Sequence, residues 1–252
     1  MSEAGFNIAC AAGPRNDTVG IGVVCFHRLD DVRVAVASIA KHGGGRYPTV
    51  LFDNSGDSVI GDWAEDQALP WLTCISSPNQ GCWGARNRIA EHFAMLGCKH
   101  WIAQDMDVEW TGDIVPPMLA VFKRYPDTGV VTWPLATQSM GNHRYDATGA
   151  CWPPECPGMC CMYSIEALTA GDCPDLIGWC PEFGLCWRGD TDYCYSVYSK
   201  GYQTRVVLAP DMVNHRHPHR GTAMLGSRLI PEQQKSEAAF RARSKRFRWP
   251  RV

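Results

Sequence analysis

Apolar positions along this chain fall into two rhythms. Residues 19–26 make a β-branched, apolar run, which predicts a buried strand. Leu29, Val32, Val36 and Ile39 then recur at helical spacing, and Gly43, Gly44 and Gly45 end that amphipathic helix. Residues 48–52 predict a second strand, which runs into the polar turn Asp53-Asn54-Ser55-Gly56-Asp57, and residues 71–75 predict a third. Ala85, Ile89, Phe93 and Leu96 mark a second helix, closed by Gly97. The next apolar run, Trp101-Ile102-Ala103, ends in two carboxylates, Asp105 and Asp107. Strand and helix alternate, the pattern of an α/β fold whose mostly parallel sheet has helices on both faces.

Further on the rhythm loosens. Residues 115–125 predict a helix with Pro116 and Pro117 in its first turn, where their missing N–H groups do no harm. Residues 129–133, 159–163 and 204–208 predict strands, and residues 190–200 a helix closed by Gly201. Residues 139–156 are polar and carry Gly and Pro, and read as a loop covering a site. No clean linker appears, so the prediction is a single domain.

Composition narrows the function classes. The 252 residues are 45% apolar and 20% charged, an ordinary balance for a globular enzyme. No run of about 18 apolar residues occurs, so no transmembrane segment is expected. Residues 1–17 lack the basic start and apolar core of a secretory signal and read as a loose leader. Thirteen cysteines in such a chain point to a reducing, cytoplasmic setting with thiols as small core residues. Cys151, Cys156, Cys160, Cys161, Cys173, Cys180 and Cys186 cluster, but without the paired Cys-x-x-Cys spacing of zinc modules. They read as buried thiols, with structural zinc as the other use of such a cluster.

Charge is unevenly spread. The net charge is −2, yet residues 241–252 hold Arg241, Arg243, Lys245, Arg246, Arg248 and Arg251 and no acid. Residues 1–240 therefore carry 18 bases and all 26 acids, a net −8.

The chemistry centres on Asp105 and Asp107. Open α/β sheets bind ligands at the carboxyl ends of their strands. Two carboxylates there, one residue apart, can share a hard divalent cation held by oxygen ligands. Such an ion serves a substrate that brings its own charge, such as a diphosphate. The same pair also suits a solvated turn closing a strand.

Five segments in order resemble glycosyltransferase family 2 and its relatives, over about residues 19–222. They are Val23-Val24-Cys25-Phe26-His27-Arg28, then Phe52-Asp53-Asn54-Ser55-Gly56-Asp57, then Asn79-Gln80-Gly81 with Ala85-Arg86-Asn87. Asp105-Met106-Asp107 is similar to the family's Asp-x-Asp, and Gly189-Asp190-Thr191-Asp192 with Gly201-Tyr202 to its Glu-Asp-x-Asp…Gly-Tyr segment. The resemblance implies a GT-A, Rossmann-like domain over residues 18–235, with a nucleotide-sugar half at 18–110 and an acceptor half at 111–235. A basic C-terminal tail at 236–252 would follow.

It also implies roles. His27, Asp53, Arg86 and Asp105 would bind the donor, a nucleotide sugar and foremost a UDP-sugar. Asp53 would take hydrogen bonds from base or ribose, although a turn-capping Asp is the plain alternative. Arg86, in the first turn of a helix, would meet the diphosphate. Asp107 and His215, with Asp105, would hold Mn2+ or Mg2+, and His217 is the fallback ligand. Asp190 would be the general base of an inverting transfer, a role compatible with capping its helix. Asp192 would orient or cap that helix, and Arg216 and Arg220 could meet phosphates.

Three departures limit the carry-over. Gly189 stands where the family has an acid, and Ser55-Gly56 reverses the usual order. Lys245-Arg246-Phe247-Arg248-Trp249 only faintly resembles the Gln-x-x-Arg-Trp of processive synthases, so transfer of a single sugar is expected. A nucleotidyltransferase would carry a glycine-rich phosphate loop after the first strand, and Cys25-Phe26-His27-Arg28-Leu29 has no glycine. A non-catalytic sugar-nucleotide binding module would not need Asp107, Asp190 and His215 together. For the acceptor, the basic tail with Phe247 and Trp249 suits a hydroxymethylated pyrimidine base in DNA. A lipid-linked, glycan or protein acceptor at an anionic membrane surface is the alternative, and a merely solvated end is the third.

Overall fold

A computed structural model describes residues 19–133, 144–156, 158–169, 178–183, 188–216, 227 and 229–247. Residues 1–17, His217, Arg220, Cys173, Cys186, Arg248, Trp249 and Arg251 lie outside them. The front half is β1 (Val19–Cys25), α1 (Leu29–Gly43), β2 (Thr49–Asp53), α2 (Val59–Asp66), β3 (Leu72–Ser76), α3 (Gly81–Met95), β4 (His100–Asp105) and β5 (Val108–Trp110). The back half is α4 (Val115–Arg124), β6 (Thr128–Thr132), β7 (Arg144–Tyr145), β8 (Cys151–Trp152), β9 (Cys160–Ser164), α5 (Ile165–Thr169), a 3-10 turn at Pro181–Phe183, α6 (Gly189–Ser199), β10 (Gln203–Val206), β11 (Val213–His215) and α7 (Leu229–Phe247).

Seven strands form one sheet in the order β10-β6-β9-β4-β1-β2-β3. All neighbours are parallel except β9, which runs antiparallel to both β4 and β6. The register sets Cys25 beside Asp53, Asp53 beside Ser76, and Val24 beside Asp105. The carboxyl ends of the first four sheet strands therefore meet along one edge. Because β9 runs the other way, its start reaches that same edge, where Met159 O accepts from Asp105 N at 2.8 Å.

Strand alternation divides the core. Val19, Ile21, Val23 and Ile102 face α1, α2 and α4, while Trp101 and Ala103 face α3, α5 and α6. Gly20 and Gly22 put no side chain on the second face. A Cβ at either would collide with Phe93 or Ile89, so these glycines let α3 lie close on β1. Pro116 and Pro117 do stand in the first turn of α4.

Several elements differ from expectation: the short β5, α5 and β11 are not anticipated by the sequence pattern, and three further differences bear on the architecture. Val59–Asp66 is a helix that a turn-to-strand reading passes over, since its eight residues bury only Ile60, Gly61 and Ala64. Part of the expected loop over residues 139–156 is a small hairpin, β7 paired with β8. Residues 229–247 form one long helix, and the segment set apart as a basic tail begins inside it.

Candidate functional site

The site is built where the strand ends meet. Asp105 closes β4 and Asp107 stands in the tight turn before β5. That turn is held from below by Gln104, fully buried, whose Nε2 donates to Val108 O at 2.9 Å. Its Oε1 accepts from Trp110 Nε1 at 2.6 Å. A buried amide with both ends bonded fixes the turn in one shape, because leaving either end unpaired is costly. The antiparallel pairing of β11 with β5 sets His215 against Val108, and Arg216 N donates to Asp107 O at 2.9 Å. A residue 108 positions away in sequence is thus delivered to Asp107: His215 Nε2 lies 3.3 Å from Asp107 Oδ1.

Asp105, Asp107 and His215 each offer one ligand atom, and the three atoms lie within 4.8 Å of one another. Two carboxylates and an imidazole are a donor set suited to Mn2+ or Mg2+. Electrostatics favour the ligating forms unequally. Burial pushes the Asp107 carboxyl up, but the hydrogen bond and charge of His215 and the charge of Arg28 outweigh it and hold it below its ordinary value. His215 is raised, first by its hydrogen bond to Asp107. Asp105 is pushed up to about 6, by burial first and by Asp107 and Asp190, while Arg86 and His215 pull it down. Its side chain is 39% open to solvent, so hydration works against that rise.

Arg86 is the centre of the arrangement. It is 1% exposed and stands past the first turn of α3, not in it as expected, because the helix already begins at Gly81. Its guanidinium joins the end of β4 and the approach to β9 to a helix start. Nη2 meets Asp105 Oδ1 at 3.0 Å and Nη1 meets Asp190 Oδ1 at 2.7 Å. Nη2 also donates to Gly158 O, and the guanidinium carbon lies 5.2 Å from the Trp83 ring centroid and 5.7 Å from that of Trp179. Gly158 leaves the space for this: a Cβ there would collide with the Asp190 carboxylate and Arg86 Nη1. Burial raises the Asp190 carboxyl above its ordinary value, against the opposing charge of Arg86 and the nearby Trp179 indole and Gly158 N–H. The helix N-cap is Arg188, so Asp190 sits in the first turn with its carboxylate aimed at Arg86.

Asp53 is 1% exposed at the end of β2. Its Oδ1 accepts from Ser55 N at 3.0 Å, and its Oδ2 is buried with no hydrogen-bond partner among the described residues. A buried carboxylate oxygen without a donor is costly unless a ligand supplies one. His27 stands at the open mouth beside it, 45% exposed, with Nδ1 3.1 Å from Asp57 Oδ2. Asn54 and Asn79 tie that mouth to α3: Asn54 Oδ1 accepts from Gln80 N at 2.8 Å and Asn79 Oδ1 from Gly81 N at 2.8 Å.

Arg28, Gln104, Gly158 and Trp179 went unmarked in the sequence as site residues. Arg28 Nη1 lies 3.2 Å from Asp107 Oδ2, and its Nη2 pairs with Asp31, which Arg216 Nη1 also meets at 3.1 Å. Only its place next to His27 in the first motif hinted at Arg28. Of the cysteine cluster, Cys151, Cys156, Cys160, Cys161 and Cys180 are buried.

No family model matches the chain, and no curated protein matches it in sequence. Solved structures do. A mannosyltransferase from Pyrobaculum calidifontis, in complex with GDP-Man and Mn2+, superposes with a TM-score of 0.56 at 18% identity, over 82% of this chain and 59% of that one. GalNAc-T7 with UDP, GalNAc and Mn2+ gives 0.57 at 13%, over 75% of this chain and 42% of that one. S. aureus TarS 1–349 gives 0.57 at 13%, over 91% and 72%.

The chain has the GT-A fold. Within this GT-A sheet the strand order, with the single reversed strand β9, is what carries Gly158 to Arg86. The chain spans 59% of the length of the mannosyltransferase and 42% of that of GalNAc-T7. Among the described residues no helix is long and apolar enough to cross a membrane.

Proposed function

We propose that this chain is a metal-dependent, inverting glycosyltransferase that moves one sugar from a nucleoside diphosphate sugar, foremost a UDP-sugar, to an acceptor hydroxyl. The observation that carries the reading is the Arg86 bridge, which sets the Asp105–Asp107–His215 cluster and the Asp190 carboxylate in one site. The donor is held at the strand ends. The unpartnered Asp53 Oδ2 accepts an N–H or O–H of the nucleoside, and His27 borders it at the mouth. Asp107, His215 and Asp105 would hold the divalent ion, which when bound neutralises charge on the diphosphate as the nucleotide departs. Arg86 adds positive charge behind Asp105 on the diphosphate side, favours the ionised form of Asp190 against the effect of burial, and aims its carboxylate.

Asp190 is the general base. The acceptor oxygen forms its bond to the anomeric carbon as the bond to the diphosphate oxygen breaks. The proton passes to Asp190, and the nucleoside diphosphate leaves with the electron pair. A base on the face opposite the leaving group gives inversion. Support comes from similar structures that hold a nucleotide: the mannosyltransferase has GDP-Man and Mn2+, GalNAc-T7 has UDP and Mn2+, and a further structure of S. aureus TarS 1–349 has UDP. Calorimetric titration with UDP and GDP, each with Mn2+ or with chelator, tests the donor half. Nucleotide affinity that chelator leaves unchanged would end the metal reading.

For the acceptor we propose a hydroxymethylated pyrimidine in DNA. Arg241 and Lys245 are exposed on α7, and Arg248 and Arg251 follow in sequence. Arg243 does not join them, being buried against Asp192. Mixing the protein with duplex DNA carrying the modified base, and in parallel with anionic vesicles, tests this: sugar appearing on the DNA supports it, and binding to vesicles alone moves the acceptor to a membrane surface.

A further inference from the structure

Asp190 stands in the first turn of α6, and the residues two before and two after it are gripped by another element, α7. Arg188, which opens α6 with a left-handed backbone (φ 61°), gives its Nε to Glu237 Oε1 at 2.6 Å. Asp192 Oδ1 takes Arg243 Nε at 2.6 Å, with side chains 3% and 7% exposed. The Arg188 guanidinium lies 5.2 Å from the Phe240 ring centroid, and Phe240 packs edge-on to Tyr195 at 6.1 Å. Ser236 Oγ donates to Phe183 O at 2.8 Å. Residues 236, 237, 240 and 243 recur three and four apart, so one face of α7 makes all these contacts.

We infer that α7 positions the base: Arg243 and Glu237 set the helix turn on which Asp190 is displayed, an inference that rests on reading Asp190 as the base. A buried ion pair adds little stability over apolar packing of the same volume, so its use here is geometric. Arginine supplies a rigid planar fork where lysine supplies a point charge. A non-glycine residue in the left-handed region persists only where its surroundings hold it, and Glu237 with Phe240 provide that hold at Arg188. The Asp190 carboxylate itself faces Arg86, so α7 acts on the frame and not on the reacting oxygen. Misplacing a reacting group by about 1 Å costs on the order of a hundredfold in rate.

The test compares Arg243→Met, Arg243→Lys and Glu237→Gln in the full chain, with Asp190→Asn as reference. UDP-glucose, UDP-N-acetylglucosamine and GDP-mannose are each offered with Mn2+, and turnover to free sugar is followed with whichever the wild type uses fastest. Affinity for UDP with Mn2+ is measured separately by calorimetry. Arg243→Met should lose about tenfold or more in turnover at saturating donor, with UDP affinity within about twofold of wild type. Arg243→Lys should recover part of the loss, and Glu237→Gln should show a smaller fall of the same kind. Wild-type turnover in folded Arg243→Met overturns the inference. If that variant does not fold, Glu237→Gln decides: reduced turnover with intact UDP affinity supports the inference, and unchanged turnover overturns it. Full turnover in Asp190→Asn would instead remove the base assignment itself.

Discussion

Arg86 Nη1 lies 2.7 Å from Asp190 Oδ1, although 104 positions separate the two residues. The same guanidinium reaches Asp105, so one buried cation connects a carboxylate of the proposed metal cluster to the carboxylate proposed as the base. Arg86→Met would leave both acids partly buried beside an apolar side chain. Loss of one partner of a buried pair typically costs about 3–5 kcal/mol. Because Asp105 is well exposed, the lower end of that range is expected. Chemical denaturation of Arg86→Met beside wild type measures it, and a loss below about 1 kcal/mol would show that Arg86 holds nothing in place.

Asp190→Asn keeps the shape and removes the basicity. Transfer should fall about a hundredfold or more while UDP affinity with Mn2+ stays near wild type. Near-normal turnover in this variant would hand the proton to another group.

The acid side of the rate profile follows from the raised Asp190 carboxyl. A base works only when ionised, so turnover should fall as pH drops through a value above the ordinary carboxylate range. Burial sets that direction and Arg86 opposes it. Arg86→Lys, which keeps the charge but loses the fork, should move the limb upward. A limb at the same pH in both proteins would show that Arg86 does not govern the base.

Chelation should abolish transfer, and Mn2+ or Mg2+ should restore it. Asp107→Ala should fold, because Arg28 keeps its pairing with Asp31 and His215 is partly open to solvent, and should bind UDP no better with Mn2+ than without. Turnover at the wild-type rate in excess chelator is the result that rules out a metal at this cluster.

The DNA proposal predicts a salt signature. Each phosphate neutralised on a duplex adds about 0.9 to the slope of log affinity against log salt. A chain ending at Phe247 keeps α7 and Arg243 but loses Arg248 and Arg251, so its slope should be shallower by up to about 1.8. Superimposable salt plots for the two chains would remove those arginines from the acceptor argument.

Much of the front half was legible because its physics is local. The apolar run from Val19 and the helical spacing of Leu29 to Ile39 each state their own element, and the strand ends carrying Asp53 and Asp105 follow from where those runs stop. The order of the motifs then pointed to the fold class that the solved structures share. Other features depend on partners distant in sequence. Residues 229–247 advertise charge, and nothing local says that Arg243 turns inward, since Asp192, which pairs with it, comes from α6. Arg86 stands on a helix whose polar residues could face water, and its burial is decided by Asp105, Asp190 and Gly158 arriving from three other elements. The sequence by itself determined which residue types stand at the strand ends. The tertiary structure decided which of them share a charge, because a buried cation is tolerated only where several distant segments bring it carboxylates and carbonyls at once.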